Sequence, residues 1–363
     1  MATRDQHFVP RVYLRRWSPN GSKQVYYFTR QNLSEGELRN VATILLDRHT
    51  YTITFKDYFL LDYMPLVKDD FITQINNILS DYSAKASYDG QELTSTMLVS
   101  PNILANIEQW EFRKIENPEL LAAKRGIVEN IKEVRSYVLE SALDNYVEKK
   151  WNLLVDTFLN QLEKGHKVRI ADEDIRVDNE LIEELISILL IFMCRNPKFD
   201  CHGIFPRIKD LLLSVFLPNT GITSQTDDVC DMINEQMRGA WLSQLYKALF
   251  NDDIGFFSEY LKRIKERCQV TIIHCPPDVG SFITTDTPAF SFVCNVTKAN
   301  YNAIYFPLTP KYLLLIGKGQ KNSLNKLDYK TVTNTGLKHF NSIILFNATQ
   351  DVVSSQKYLG YLL

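Results

Sequence analysis

The chain has 363 residues, 45% of them hydrophobic and 23% charged, with 14 glycines and 13 prolines. That balance excludes a disordered or collagen-like chain, and so little turn punctuation argues against a β-propeller or a low-complexity protein. The net charge of −2 hides an uneven distribution: residues 1–40 hold seven Lys and Arg against three acids, residues 296–363 hold eight Lys against two, and the middle is acidic. Basic ends that share one face would attract phosphate; basic ends packed on an acidic middle would only neutralise it.

Residues 1–7 contain no apolar run, so no secretion signal is expected there. The apolar stretch Ile188 to Cys194 is far short of the roughly 20 residues that span a bilayer, and no membrane partner is expected. Six cysteines without a C-x-x-C pair read as reduced thiols, which suits a cytoplasmic location.

In chain order, Val9 to Trp17 predicts a short helix with Pro10 at its first turn. Gln24 to Arg30 and His49 to Phe55 alternate as strands do. From Asp69 the apolar period becomes helical, through Phe71, Ile72, Ile75, Ile78, Leu79 and Tyr82. Ser100-Pro101 reads as a helix start and Asn117-Pro118 as a stop. One long helix is expected from Ile131 through Leu162, capped by Gly165, and a buried helix over Leu181 to Arg195 that ends at Asn196-Pro197. Helices over Asp228 to Phe250 and Asp253 to Cys268 follow. The pattern then turns to strands: Val270 to His274, Ser281 to Thr285, Ala289 to Cys294, Ala303 to Leu308, Tyr312 to Ile316 and Ser342 to Phe346. Because two or three isolated N-terminal strands cannot satisfy their edges, the expected fold is α+β, a β-region assembled from both chain ends with a mainly helical central region. Its parts are residues 1–68, 69–268 and 269–363.

Four motifs carry a resemblance. Gln6-His7-Phe8-Val9-Pro10-Arg11-Val12-Tyr13-Leu14-Arg15-Arg16-Trp17, Cys194-Arg195-Asn196-Pro197, Phe282-Ile283-Thr284-Thr285-Asp286-Thr287-Pro288 and Phe306-Pro307-Leu308-Thr309-Pro310 together resemble the mainly microbial domain-of-unknown-function family four-two-three-eight. Thr285 stands where that family more often has Ser, and Asn196 where Thr is usual. The resemblance implies no activity.

The motifs nonetheless supply candidates. His7 would act as a general acid or base, or meet an anion at the following helix start; alternatively it ties the terminus down. Asp286 would orient His7 or hold a metal, or else form a local Asx turn. Arg195 would pair with a phosphate or carboxylate, or simply complement a helix C-terminus. Gln6, Arg11, Arg15 and Arg16 would bind phosphate or nucleic acid beside Tyr13 and Trp17, which either stack a base or belong to the core. Gly317-Lys318-Gly319 lacks the spacing of a phosphate-binding loop, Cys201-His202 is an incomplete metal pattern, and the Asp69-Asp70, Asp227-Asp228 and Asp252-Asp253 pairs read as helix caps. Two function classes result. One is a phosphodiester hydrolase, nuclease-like and of the kind used in antiphage defence, with His7, Asp286 and Arg195 in its site and a divalent metal such as Mg as the cofactor to test. The other is a non-catalytic module that binds nucleic acid, a nucleotide or a protein.

Overall fold

The computed structural model describes residues 5–48, 65–100, 103–104, 106–136, 138–169, 173–196, 256–294, 301–319 and 324–363. The expected strand at His49 to Phe55 and the expected helix at Asp228 to Phe250 lie outside them. In chain order the strands are β1 (Asp5–His7), β2 (Gln24–Thr29), β3 (Asn32–Asn40), β4 (Leu46–Arg48), β5 (Ala84–Tyr88), β6 (Gln91–Glu92), β7 (Glu111–Lys114), β8 (Ile175–Arg176), β9 (Cys268–His274), β10 (Thr284–Thr285), β11 (Phe290–Cys294), β12 (Tyr301–Thr309), β13 (Tyr312–Lys318), β14 (Lys326–Thr331) and β15 (Asp351–Ser354). The helices are α1 (Arg11–Leu14), α2 (Pro65–Asp81), α3 (Lys124–Ser136), α4 (Val138–Val168), α5 (Asn179–Arg195), α6 (Phe256–Arg267) and α7 (Asn334–Asn347).

The chain divides into two compact units. The first takes residues 1–6, 49–145 and 203–258. Its described part is α2 and α3 with a small sheet ordered β6-β5-β7, which the helical reading of this stretch does not anticipate. Fully buried Trp110 donates its indole N–H to the Ile103 carbonyl at 2.9 Å, so the ring closes this core without stranding a donor.

The second unit joins residues 7–48, 146–202 and 259–363. Among the described residues it holds two sheets of more than two strands. In one, ordered β10-β15-β2-β3, β15 from the chain's end pairs antiparallel with β2 from its start, with Val352 opposite Phe28 and Val353 opposite Tyr27. The β-region is thus assembled from both chain ends, and the fold is α+β. The other sheet runs β11-β12-β13-β9-β14-β8 and is antiparallel except where β14 lies parallel to β9.

Helix α5 is apolar on nearly every side because it is central: Ile182, Leu185, Ile186, Ile188, Leu189, Leu190 and Ile191 are each fully buried. It stops at Arg195 because Asn196 precedes Pro197 and is extended, φ −66° and ψ 127°. Helix α4 continues to Val168 past Gly165, so this glycine is not the expected cap. It sits where a Cβ would collide with the Ile175 side chain of β8, and only a residue without one lets the helix lie so close. Ser342 to Phe346, expected as a strand, lies inside α7. The β-branched pair Ile343-Ile344 gives way to a longer helical spacing, Leu337, Phe340, Asn341 and Ile344, and Thr333 caps the start by accepting from the Gly336 N–H at 3.3 Å.

The core of this unit is aromatic. Tyr13 of α1 lies against Phe306 of β12, Phe192 of α5, Trp151 of α4 and Trp17, with centroid separations of 5.5, 5.1, 5.8 and 6.0 Å. Its hydroxyl donates to the Pro307 carbonyl at 2.7 Å, which leaves its lone pairs to accept from the Thr284 hydroxyl at 2.6 Å. Removing that hydroxyl strands two buried polar partners, a loss of about 1–3 kcal/mol. Tyr13→Phe is therefore expected to lower the urea midpoint without changing the slope of the transition; an unchanged midpoint would show that the hydroxyl contributes nothing net.

Candidate functional site

The four motifs converge in the second unit. The Tyr13 hydroxyl joins the first motif to Thr284 of the third and Pro307 of the fourth. The second motif enters through Asn196, whose side-chain N–H donates to the backbone carbonyl of Asp286. What they build is packed interior: Tyr13, Trp17, Thr284, Thr285 and Phe306 are fully buried, and Arg195 and Asp286 nearly so.

The Asp286 carboxylate holds one turn. Oδ1 accepts from the Thr349 N–H at 2.9 Å, and Oδ2 from Gln350 at 2.9 Å and Asp351 at 3.4 Å. Thr287 adds a bond from its hydroxyl to the Asn347 carbonyl at 2.7 Å. This pins the loop between α7 and β15, and so fixes where β15 meets β2. Replacing one acceptor oxygen by an amide donor that faces those N–H groups costs on the order of 1–3 kcal/mol. Asp286→Asn is expected to lower the melting temperature whether or not the protein turns anything over, and an unaltered melt would contradict this role.

Asn196, the residue after Arg195, bonds to the Asp286 carbonyl, and His7 is half-buried at the end of β1, after Gln6. The basic residues of the first motif are spread. Arg16 is committed to helix α4, with Asp156 at 2.9 Å and the Asn152 carbonyl at 3.1 Å. Arg11 is exposed, and its backbone N–H donates to Glu148 at 3.1 Å; Arg15 is exposed. Other cations of the chain ends pair locally too, Arg39 with Glu37 at 2.6 Å and Lys357 with Glu35 at 2.6 Å. A shallow depression of about 530 Å³ beside the start of α5 is lined by Asp178, Glu180 and Glu184 with Thr157, Asn179 and Leu181, a sign of charge that repels phosphate.

A second cluster, which sequence reasoning missed, lies where α4 ends over the large sheet. In β9, β13 and β14 alternate residues share a face. Register sets Tyr312 directly opposite His274, and Thr331 beside it from the other flank, so Tyr329 falls diagonally on the same side. The His274 ring is 5.1 Å from Tyr312 and 5.9 Å from Tyr329. From above, exposed His166 of α4 stacks on Tyr329 at 4.4 Å, nearly parallel. Arg169 lies 4.8 Å from the same ring and donates to the Tyr329 carbonyl at 3.4 Å. Lys311 and Glu163 complete the charged surroundings of His274.

Burial lowers the His274 pKa, and the positive fields of His166 and Lys311 push the same way against a smaller opposing effect from Glu163. Burial also raises Tyr329, so its phenol stays protonated. A histidine whose folded pKa lies below its unfolded value of about 6.5 favours the folded state at neutral pH, and that contribution is lost as pH falls through 6.5 toward the folded pKa. The stability difference between the native chain and His274→Gln should therefore shrink between pH 7.5 and pH 5.5 in parallel urea titrations; a constant difference would show that the ring's protonation is not linked to folding.

Among the described residues no group of three or more His, Cys, Asp or Glu is placed to hold a metal ion, and no helix is long and apolar enough to cross a membrane.

The architecture is that of an α+β protein whose chain ends share one sheet and whose motif residues build a common aromatic core. This chain belongs to the family described as Protein of unknown function (DUF4238), whose model matches residues 5–358. No curated protein and no solved structure matches it.

Proposed function

We propose that the protein is a phosphodiester hydrolase whose acid–base pair is His166 and His274. The observation that carries this reading is that both imidazoles pack against one tyrosine, Tyr329, with Arg169 on the same ring. Phosphoryl chemistry needs a base for the nucleophile, an acid for the leaving oxygen and fixed positive charge for the oxygens between them. His274, held neutral, is the base. His166, nearer solvent, is the acid, and Arg169 and Lys311 supply the charge. His7 and Asp286, the pair suggested by the motifs, are the weaker choice for this work because Asp286 already serves three backbone N–H groups.

The same cations support a second reading, a module that binds a phosphate-bearing partner without turnover. Turnover separates the two. Purified protein should be incubated with DNA, RNA and nucleotides, with and without a divalent metal. The hydrolase reading expects product with at least one of them and a loss of about 100-fold or more in His166→Ala and in His274→Gln, with His7→Ala retaining most of the rate. Retention of binding with no product from any of them would favour the module.

A further inference from the structure

Resting on that reading, we infer that the substrate is single-stranded RNA and that its own 2′-hydroxyl is the nucleophile at the His166–His274 site. Two imidazoles and two cations hold everything an internal displacement requires except the attacking oxygen, and in RNA that oxygen is already next to the phosphorus. An adjacent hydroxyl has the advantage of proximity that a bulk water lacks. It is also the group by which RNA differs from DNA.

The step balances within the substrate. His274 takes the proton from the 2′-hydroxyl as the O2′–P bond forms, and the P–O5′ bond breaks as His166 gives its proton to the departing 5′-oxygen. The products of this step are a 2′,3′-cyclic phosphate and a free 5′-hydroxyl, with no change of oxidation state; slower attack of water on the cyclic ester, with His166 taking the water's proton and His274 returning its own to the 2′-oxygen, completes the hydrolysis and resets both imidazoles. Arg169 and Lys311 face the non-bridging oxygens, whose charge grows during attack. Tyr329 is a positioning residue: its ring holds His166 and lies against His274.

A single strand is favoured for two reasons. The 2′-oxygen must swing opposite the leaving 5′-oxygen, which a regular duplex prevents, and the outer face of exposed His166 offers an unpaired base a ring to stack on. The groups around His274 set the pH dependence: His166 and Glu163 from α4, Arg169 just past its end, Lys311 and Tyr312 from the β12–β13 turn and β13, and Tyr329 from β14. The rate should fall on the acid side as His274 gains its proton.

The test uses the full chain and three end-labelled oligonucleotides of one mixed sequence, as RNA, DNA and fully 2′-O-methylated RNA, each with and without EDTA. The inference expects cleavage of RNA alone, insensitive to EDTA, leaving a 2′,3′-cyclic phosphate, and a fall of about 100-fold or more in His274→Gln and in His166→Ala. His166 is exposed, so its variant is expected to fold even where the other does not. Cleavage of DNA or of the methylated strand would overturn the inference and leave the hydrolase reading standing. Cleavage of RNA at native rate by both variants would overturn the assignment of the site. No cleavage of any strand would overturn the inference and leave the hydrolase reading to its test on nucleotides.

Discussion

The second unit depends on the hydroxyl of Tyr13. It is fully buried, yet it donates to Pro307 and accepts from Thr284, so a segment near the chain's start meets, at one atom, two segments 271 and 294 residues further on. An apolar ring at this place would supply the packing against Phe306, Phe192 and Trp151 but not the direction. The two hydrogen bonds fix α1 relative to β10 and β12, and burial makes an unmade bond expensive. The Asn341 amide does the same on another side of this unit. It accepts from the Ile283 N–H and donates to the Ser281 and Leu362 carbonyls, all at 3.1 Å, which locks α7 to the segment before β10 and to the chain's end.

This arrangement explains why the most distinctive residues of the sequence are interior ones. A distinctive motif invites a catalytic reading, but a buried aromatic cluster pinned by the Tyr13 hydroxyl restricts residue identity as well. Asp286 illustrates the point. Its carboxylate is the acceptor for a turn that sets the register between β15 and β2, and the sheet built from both ends of the chain needs that register. The His166–His274 cluster rests on the same frame, since the sheet that carries His274, Tyr312 and Tyr329 is the one whose β12 holds Phe306 and Pro307.

Local pattern made much of the fold legible. The switch of apolar period located α2, α5 and β9, and Asn196-Pro197 marked the end of α5 to the residue. The need of short strands for partners pointed to a sheet shared by both ends. What was not legible depends on distant neighbours. Ile343-Ile344 reads as strand until Asn341 and Phe340 are known to face the core with them, and Gly165 reads as a cap until Ile175 is seen against it. The cluster around Tyr329 was hidden for the same reason. His166 looks like a charge complement at a helix end, His274 like the last residue of a strand, and only the register of β9 with β13 and β14 brings the rings to one face.

On the function proposed above, the motifs hold the unit together and phosphate is bound at His166 and His274. The most direct measurement follows the imidazole resonances of the six histidines, labelled in the full chain, as inorganic phosphate is added. Saturable shifts are expected for His166 and His274, with His7 unmoved. Shifts at His7 with His166 and His274 unmoved would contradict this and return the site to the motifs.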